Sequence, residues 1–170
     1  MPNPASEGPA APAADHRVEI VRGRLDPALS KRLIDFWTGH GALREADAQK
    51  RLDEVVGVLF DRSREIAGVC SAYAAVAPLV RRRVWMYRRF LLPDVEEGSD
   101  LALVQAAFDE LASSFTGAPD QPLGLCVMVG DREFMKRHDE AIWPQAELLF
   151  AGYTQAGAQV RIRYFDGARI

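Results

Sequence analysis

The sequence predicts a mixed α/β fold: a mostly antiparallel central sheet flanked by helices on both faces. Three observations carry this. Three β-rich runs, Val55–Asp61, Glu65–Ala75 and Arg83–Leu92, follow one another across short turns and form an antiparallel meander. A long amphipathic segment, Asp100–Phe115, links the last of them to the wholly apolar run Leu123–Val129, the pattern of a parallel crossover. A second set of helical signals lies ahead of the meander, so helices are available for both faces.

Residues 1–15 hold four Pro and five Ala and carry only Glu7 and Asp15 as charges. Such a segment has little apolar surface to offset the entropy of ordering, so a disordered tail is expected there. A single domain is expected over residues 16–170, a length that buries roughly two thirds of the unfolded surface without disulfide or metal.

His16–Leu25 reads as the first strand. Asp26-Pro27 opens a helix, with Asp as cap and Pro in the first turn. Leu29, Leu33, Phe36 and Trp37 supply its apolar stripe, and Gly39 and Gly41 end it. Glu45–Asp53 is a weakly amphipathic second helix. Arg62-Ser63-Arg64 turns the hairpin of the second and third strands. Pro78 separates the third strand from the fourth, and Pro93-Asp94 closes the fourth. The helix Asp100–Phe115 presents Leu101, Val104, Phe108, Leu111 and Phe115 on one face. A short helix over Asp131–Asp139 follows the fifth strand. Glu147–Tyr153 and Gln159–Phe165 form a closing hairpin around Gln155-Ala156-Gly157.

The 170 residues carry a net charge of −3, which argues against a globally basic nucleic-acid binder. Arg outnumbers Lys 18 to 3 beside 25 Ala, a compositional bias that discounts Arg number as a functional signal. One basic-aromatic cluster exists: Arg81-Arg82-Arg83, Arg88 and Arg89 among Trp85 and Tyr87. Strand alternation puts Arg83, Trp85, Tyr87 and Arg89 on one face and Val84, Met86, Arg88 and Phe90 on the other, so no single basic face results. Arg89 is a candidate for holding an anionic or carboxylate-bearing small ligand, and Trp37, Tyr73 and Trp85 are candidate pocket residues. Cys70 and Cys126 lie far apart in apolar runs and His16, His40 and His138 are scattered, which excludes a zinc pattern. Buried reduced thiols and a cytoplasmic protein are expected. The longest uncharged run, Ala67–Val80, is 14 residues and too short to span a bilayer.

The order of elements over residues 17–165 resembles that of the GNAT superfamily of N-acetyltransferases. Leu91-Leu92-Pro93-Asp94 and the helix from Asp100 are similar to the family's fourth strand and following helix. Ile66-Ala67-Gly68 opens a hairpin like its second and third strands, and Gly124–Val129 with Asp131-Arg132-Glu133-Phe134 resembles its fifth strand and fourth helix. The resemblance implies acetyl-CoA or another acyl-CoA as acyl donor and an amine, on a small molecule or a protein, as acceptor. It places the acyl carbonyl and pantetheine arm at Leu91 and Leu92, where the fourth and fifth strands part beyond Leu91. It places the pyrophosphate on the turn before the long helix, through Gly98, Ser99 and Asp100. The family pattern of that turn is [Gln/Arg]-x-x-Gly-x-[Gly/Ala]. Here the segment is Val95-Glu96-Glu97-Gly98-Ser99-Asp100, so Gly98 alone fits and three carboxylates stand near a diphosphate. Ser99 or Asp100 also reads as a helix cap. Met135 stands where many members carry a Tyr. The fourth strand has no carboxylate, which leaves Tyr87 as the candidate catalytic group. Two readings stay open: an acyltransferase, or a GNAT-fold ligand-binding or protein-interaction module that has lost CoA binding. A homodimer is left open; a membrane or nucleic-acid partner is not expected.

Overall fold

The computed structural model describes residues 16–170, and the side chain of Glu97 lies outside what it describes. The expected tail, residues 1–15, falls outside the described residues.

Eight strands form one sheet in the order β1-β2-β3-β4-β5-β8-β7-β6. They are β1 (His16–Ile20), β2 (Val55–Asp61), β3 (Ile66–Val76), β4 (Arg83–Leu91), β5 (Gly124–Val129), β6 (Ile142–Trp143), β7 (Leu148–Tyr153) and β8 (Gln159–Tyr164). All neighbours pair antiparallel except β4 and β5. The helices are α1 (Pro27–Gly39), α2 (Glu45–Arg51), α3 (Glu97–Ser113) and α4 (Arg132–Arg137). The meander and the β4–α3–β5 crossover are as expected from the sequence.

Local chemistry sets the helix ends. The Asp26 carboxylate accepts from the Leu29 N–H at 2.7 Å, and Pro27 opens α1. The Asp131 carboxylate accepts from the Glu133 and Phe134 N–H groups and caps α4. Several boundaries differ from the sequence expectation. β1 stops at Ile20 because the chain turns at Arg22-Gly23, where Gly23 takes φ 67°. The second helix ends at Arg51 and tightens into a 3-10 turn over Leu52–Glu54. Most consequential, α3 begins at Glu97, three residues before the expected Asp100.

Two helical layers enclose the sheet. Leu33, Phe36 and Trp37 of α1 pack with Val55, Val58, Phe60 and Val69 on one face. Leu103, Val104, Ala107 and Leu111 of α3, with Phe134 of α4, pack on Val56, Tyr87, Leu125 and Val127 on the other. Gly124 is obligatory at the β5–β8 contact: a Cβ there would meet the Arg163 carbonyl oxygen at 2.2 Å.

Candidate functional site

β4 runs on to Leu91, but its pairing with β5 is confined to Trp85↔Leu125, Met86↔Cys126 and Tyr87↔Val127. The two parallel strands therefore part after Tyr87, four residues earlier than the Leu91 expected from the sequence. Right-handed twist favours such divergence once a ladder ends. A gap opens in the middle of the sheet, with its own backbone groups facing it.

The backbone edge of β4 divides its groups between the two sides. The Leu92 N–H donates to the Ala67 carbonyl at 2.9 Å, so it is committed to β3. Successive residues of a strand alternate, which turns the Leu91 N–H toward the gap. Of the two residues expected to offer backbone groups, Leu92 gives its N–H to β3 and Leu91 does not.

Asp100, which pairs with Arg89, ties β4 to the first turn of α3. Glu96 is its N-cap residue and makes no side-chain cap bond. Its first N–H groups are therefore without a side-chain acceptor, the condition for holding an anion. A Cβ built on Gly98 meets nothing within 4 Å, so the backbone is open to approach there. The expectation that Ser99 or Asp100 caps the helix is corrected. Both are buried inside its first turn, because α3 starts earlier.

Asp100 does not face the turn's open side. Its Oδ1 and Oδ2 accept from Arg89 Nε at 2.5 Å and Nη2 at 2.6 Å, a two-point fork. The Asp100 side chain is 8% exposed and that of Arg89 25%. Burial pulls the Arg89 pKa down, but the Asp100 bond and charge more than reverse this and hold it above its ordinary value. This pair neutralises the carboxylate that seemed to oppose a diphosphate. It also occupies Arg89, the residue expected to hold a ligand's carboxylate. Beneath the pair, Leu101, Val104, Val127, Val129, Phe134 and Trp143 line a slot of about 10 Å³, room for about one water molecule.

Tyr87 is beside this slot but cannot serve as a base. Burial, then the nearby Cys70 and Asp100, push its hydroxyl well above the usual phenol range, against a smaller opposing effect of Arg89. The hydroxyl is buried with no formed hydrogen bond; its meeting with the Cys70 thiol is a loose sulfur contact.

The other expected pocket residues do not converge. Trp37 is 2% exposed and belongs to the α1 core. Trp85 lies on the α3 face beneath Arg22, whose guanidinium is 5.1 Å from the ring centroid. Tyr73 lies on the opposite face, under Arg88 at 4.3 Å. On that face a further opening of about 400 Å³ is lined by Phe36, His40, Ile66 and Leu92 among others. The His40 ring meets Phe36 edge-on at 5.1 Å and Phe90 at 6.1 Å. His40 was read as merely scattered in the sequence; its place at the lip follows from α1 ending over β4.

Burial pushes the Cys70 thiol up to about 12 and Cys126 up to about 11. Both therefore stay protonated in the fold while unfolded thiols ionise near 9. Their burial is costless below about pH 9, and stability is lost as pH rises from there toward about 11. Iodoacetamide at pH 8 should leave both unmodified in native protein and modify both in denaturant. Rapid labelling of the native protein would contradict their burial.

Among the described residues no His, Cys, Asp or Glu group could hold a metal ion, and no helix is long and apolar enough to cross a membrane.

No family model matches the sequence, and a search of curated proteins finds no match. The fold itself is that of the GNAT superfamily. The chain is similar to a GNAT-family acetyltransferase from Streptococcus pneumoniae: 13% identity, TM-score 0.59, 88% of this chain and 99% of that one. It is also similar to a ribosomal-protein-S5-alanine acetyltransferase from Vibrio fischeri, with 9% identity, TM-score 0.58, and 94% and 98% of the two chains covered. A phosphinothricin acetyltransferase from Sinorhizobium meliloti, solved with acetyl-CoA, matches at 14% identity and TM-score 0.56 over 89% of each chain.

Proposed function

We propose that this protein transfers an acyl group from acyl-CoA to an amine. The observation that carries the reading is the parting of β4 from β5 beyond Tyr87↔Val127, with the uncapped start of α3 tied to β4 by the Arg89–Asp100 pair. The Sinorhizobium acetyltransferase of the same fold holds acetyl-CoA, which supports the choice of donor.

The residues present fit such a donor. The first-turn N–H groups of α3 and the open backbone at Gly98 would hold the pyrophosphate, with the helix dipole favouring its charge. Bound acyl-CoA would supply an activated thioester. The Leu91 N–H, facing the gap, is placed to donate to the acyl oxygen as negative charge develops on it. The Arg89–Asp100 fork fixes α3 against β4, so that donor and cradle keep their spacing.

The test is calorimetric titration with acetyl-CoA of the native protein and Gly98→Val. A Cβ at residue 98 meets nothing within 4 Å, so folding should be little affected. It would stand where the pyrophosphate sits, and affinity should fall at least tenfold, about 1.4 kcal/mol. Glu96→Gln, an exposed change, should tighten binding only severalfold, and more at low salt. Absence of acetyl-CoA binding to the native protein, or equal binding to Gly98→Val, would sink this reading.

A further inference from the structure

Arg89 is held by Asp100 at two points, whereas Arg88, the residue before it on β4, is engaged by Glu54 through Nη2 alone. Strand alternation sends Arg88 to the α1/α2 side of the sheet, behind the slot. There it lines a cleft of about 340 Å³ with Leu43, Asp47, Lys50, Arg51 and Glu54. The charges in this cleft do not cancel. Asp47 is held by Arg44 at 2.9 Å, and Glu54 engages Nη2 of Arg88. Among the described residues no ion pair engages Lys50 or Arg51. The Arg88 Nε is buried with no hydrogen-bond partner. A buried donor left unmade costs about 1–3 kcal/mol. The Arg51 charge adds to the strain: burial first, then Arg51, hold Arg88 below the ordinary guanidinium range. Stacking on the Tyr73 ring at 4.3 Å fixes the guanidinium plane.

The position of this cleft ties it to the gap. Arg88 is the first residue of β4 beyond the last β4–β5 pair. Only three residues, about 10 Å of strand, separate it from Leu91.

We propose that the cleft of Arg88, Arg51 and Lys50 binds the carboxylate of the acceptor, so that the acceptor is a small amino carboxylate. The carboxylate meets two guanidinium groups and an ammonium, and the amine at its other end points along β4 toward the gap. This rests on the acyl-transfer reading above for the amine, but the anion site stands on its own residues. Leu43, on the cleft wall, gives the linking carbons an apolar surface.

The experiment measures binding of 4-aminobutyrate and of n-butylamine, the same amine without a carboxylate, by NMR titration in the absence of acyl-CoA. The amino carboxylate should bind at least tenfold more tightly. Arg51→Gln removes a cation that holds no ion pair; it should weaken 4-aminobutyrate tenfold or more and leave the melting temperature unchanged. Arg88→Lys keeps the charge but loses the planar guanidinium stacked on Tyr73, and should restore little of the affinity lost in Arg88→Gln. Equal binding of the two amines, no binding at about 10 mM, or full affinity in Arg51→Gln overturns the proposal. The acyl-transfer reading fails separately. If 4-aminobutyrate binds through Arg51 but acetyl-CoA does not bind, the anion site stands and acyl transfer falls. If acetyl-CoA binds and n-butylamine is acetylated as well as 4-aminobutyrate, the reverse holds.

Discussion

Asp100→Asn should cost the protein about 3 kcal/mol of stability, and Asp100→Ala up to about 5, because each leaves the Arg89 guanidinium largely buried without its counter-charge. For a chain of this size that is a fall of about 10 °C in melting temperature. The double variant Arg89→Met with Asp100→Leu removes both charges and should lie within about 1–2 kcal/mol of native, since an apolar pair of similar volume costs no desolvation. A double-mutant cycle by thermal and urea unfolding separates the two cases. Additive single losses would show that the fork contributes little. The functional corollary is specific. The fork joins β4 to the first turn of α3, so its loss should loosen the cradle and weaken acetyl-CoA even where the fold survives. Restoring stability by the apolar pair should then restore binding.

Arg161→Ala should be comparably damaging, about 3–5 kcal/mol. The side chain is wholly buried, and its partners are neutral. Nε donates to Gln159 Oε1 at 2.8 Å, Nη1 to the Leu148 carbonyl at 3.3 Å and Nη2 to the His138 carbonyl at 3.0 Å. The Trp143 ring lies 4.3 Å from the guanidinium carbon. Truncation leaves two carbonyls and a side-chain amide wanting donors, and a cavity under Trp143. Lysine should rescue little, because one ammonium cannot span three diverging acceptors. The lesion should also reach the site. His138 is the C-cap of α4, and Phe134 on α4 lines the slot beside Arg89. Hydrogen exchange over residues 132–150 should therefore quicken before the rest of the sheet opens. Uniform loss of protection across the chain would show that Arg161 does not hold α4 in particular.

How much of this was legible beforehand depends on range. The alternation in Arg83–Leu91 was readable residue by residue, and the structure places Trp85 and Tyr87 on one face and Val84 and Met86 on the other. Asp26-Pro27 and Asp131 mark helix starts because a cap is a bond within three residues. The two-residue strand β6 was not legible: two residues carry no period, and Ile142-Trp143 becomes a strand only by pairing with Leu148-Leu149.

The candidate site divides in the same way. Leu91 and Gly98 could be singled out from the sequence because they belong to a local pattern of strand end, turn and helix start. The roles of Arg89 and Asp100 were misread. Composition shows a cation and an anion eleven residues apart, and only the docking of α3 on β4 makes them partners rather than a ligand site and a repulsive charge. For Arg88 the sequence shows only a place in the basic-aromatic cluster and a strand face, since nothing near it along the chain reveals Glu54, Arg51 or Tyr73 around it.

The sequence by itself determined the main order of elements, the Asp26 start of α1, the faces of β4 and the parallel crossover. These rest on spacing along the chain, on side-chain period and on bonds a few residues long. The tertiary structure alone decided where β4 parts from β5, which charges cancel and which stand over a cleft. Those outcomes depend on groups far apart in the chain, and burial, which makes an ion pair obligatory and an unpaired donor costly, exists only once the layers have closed on the sheet.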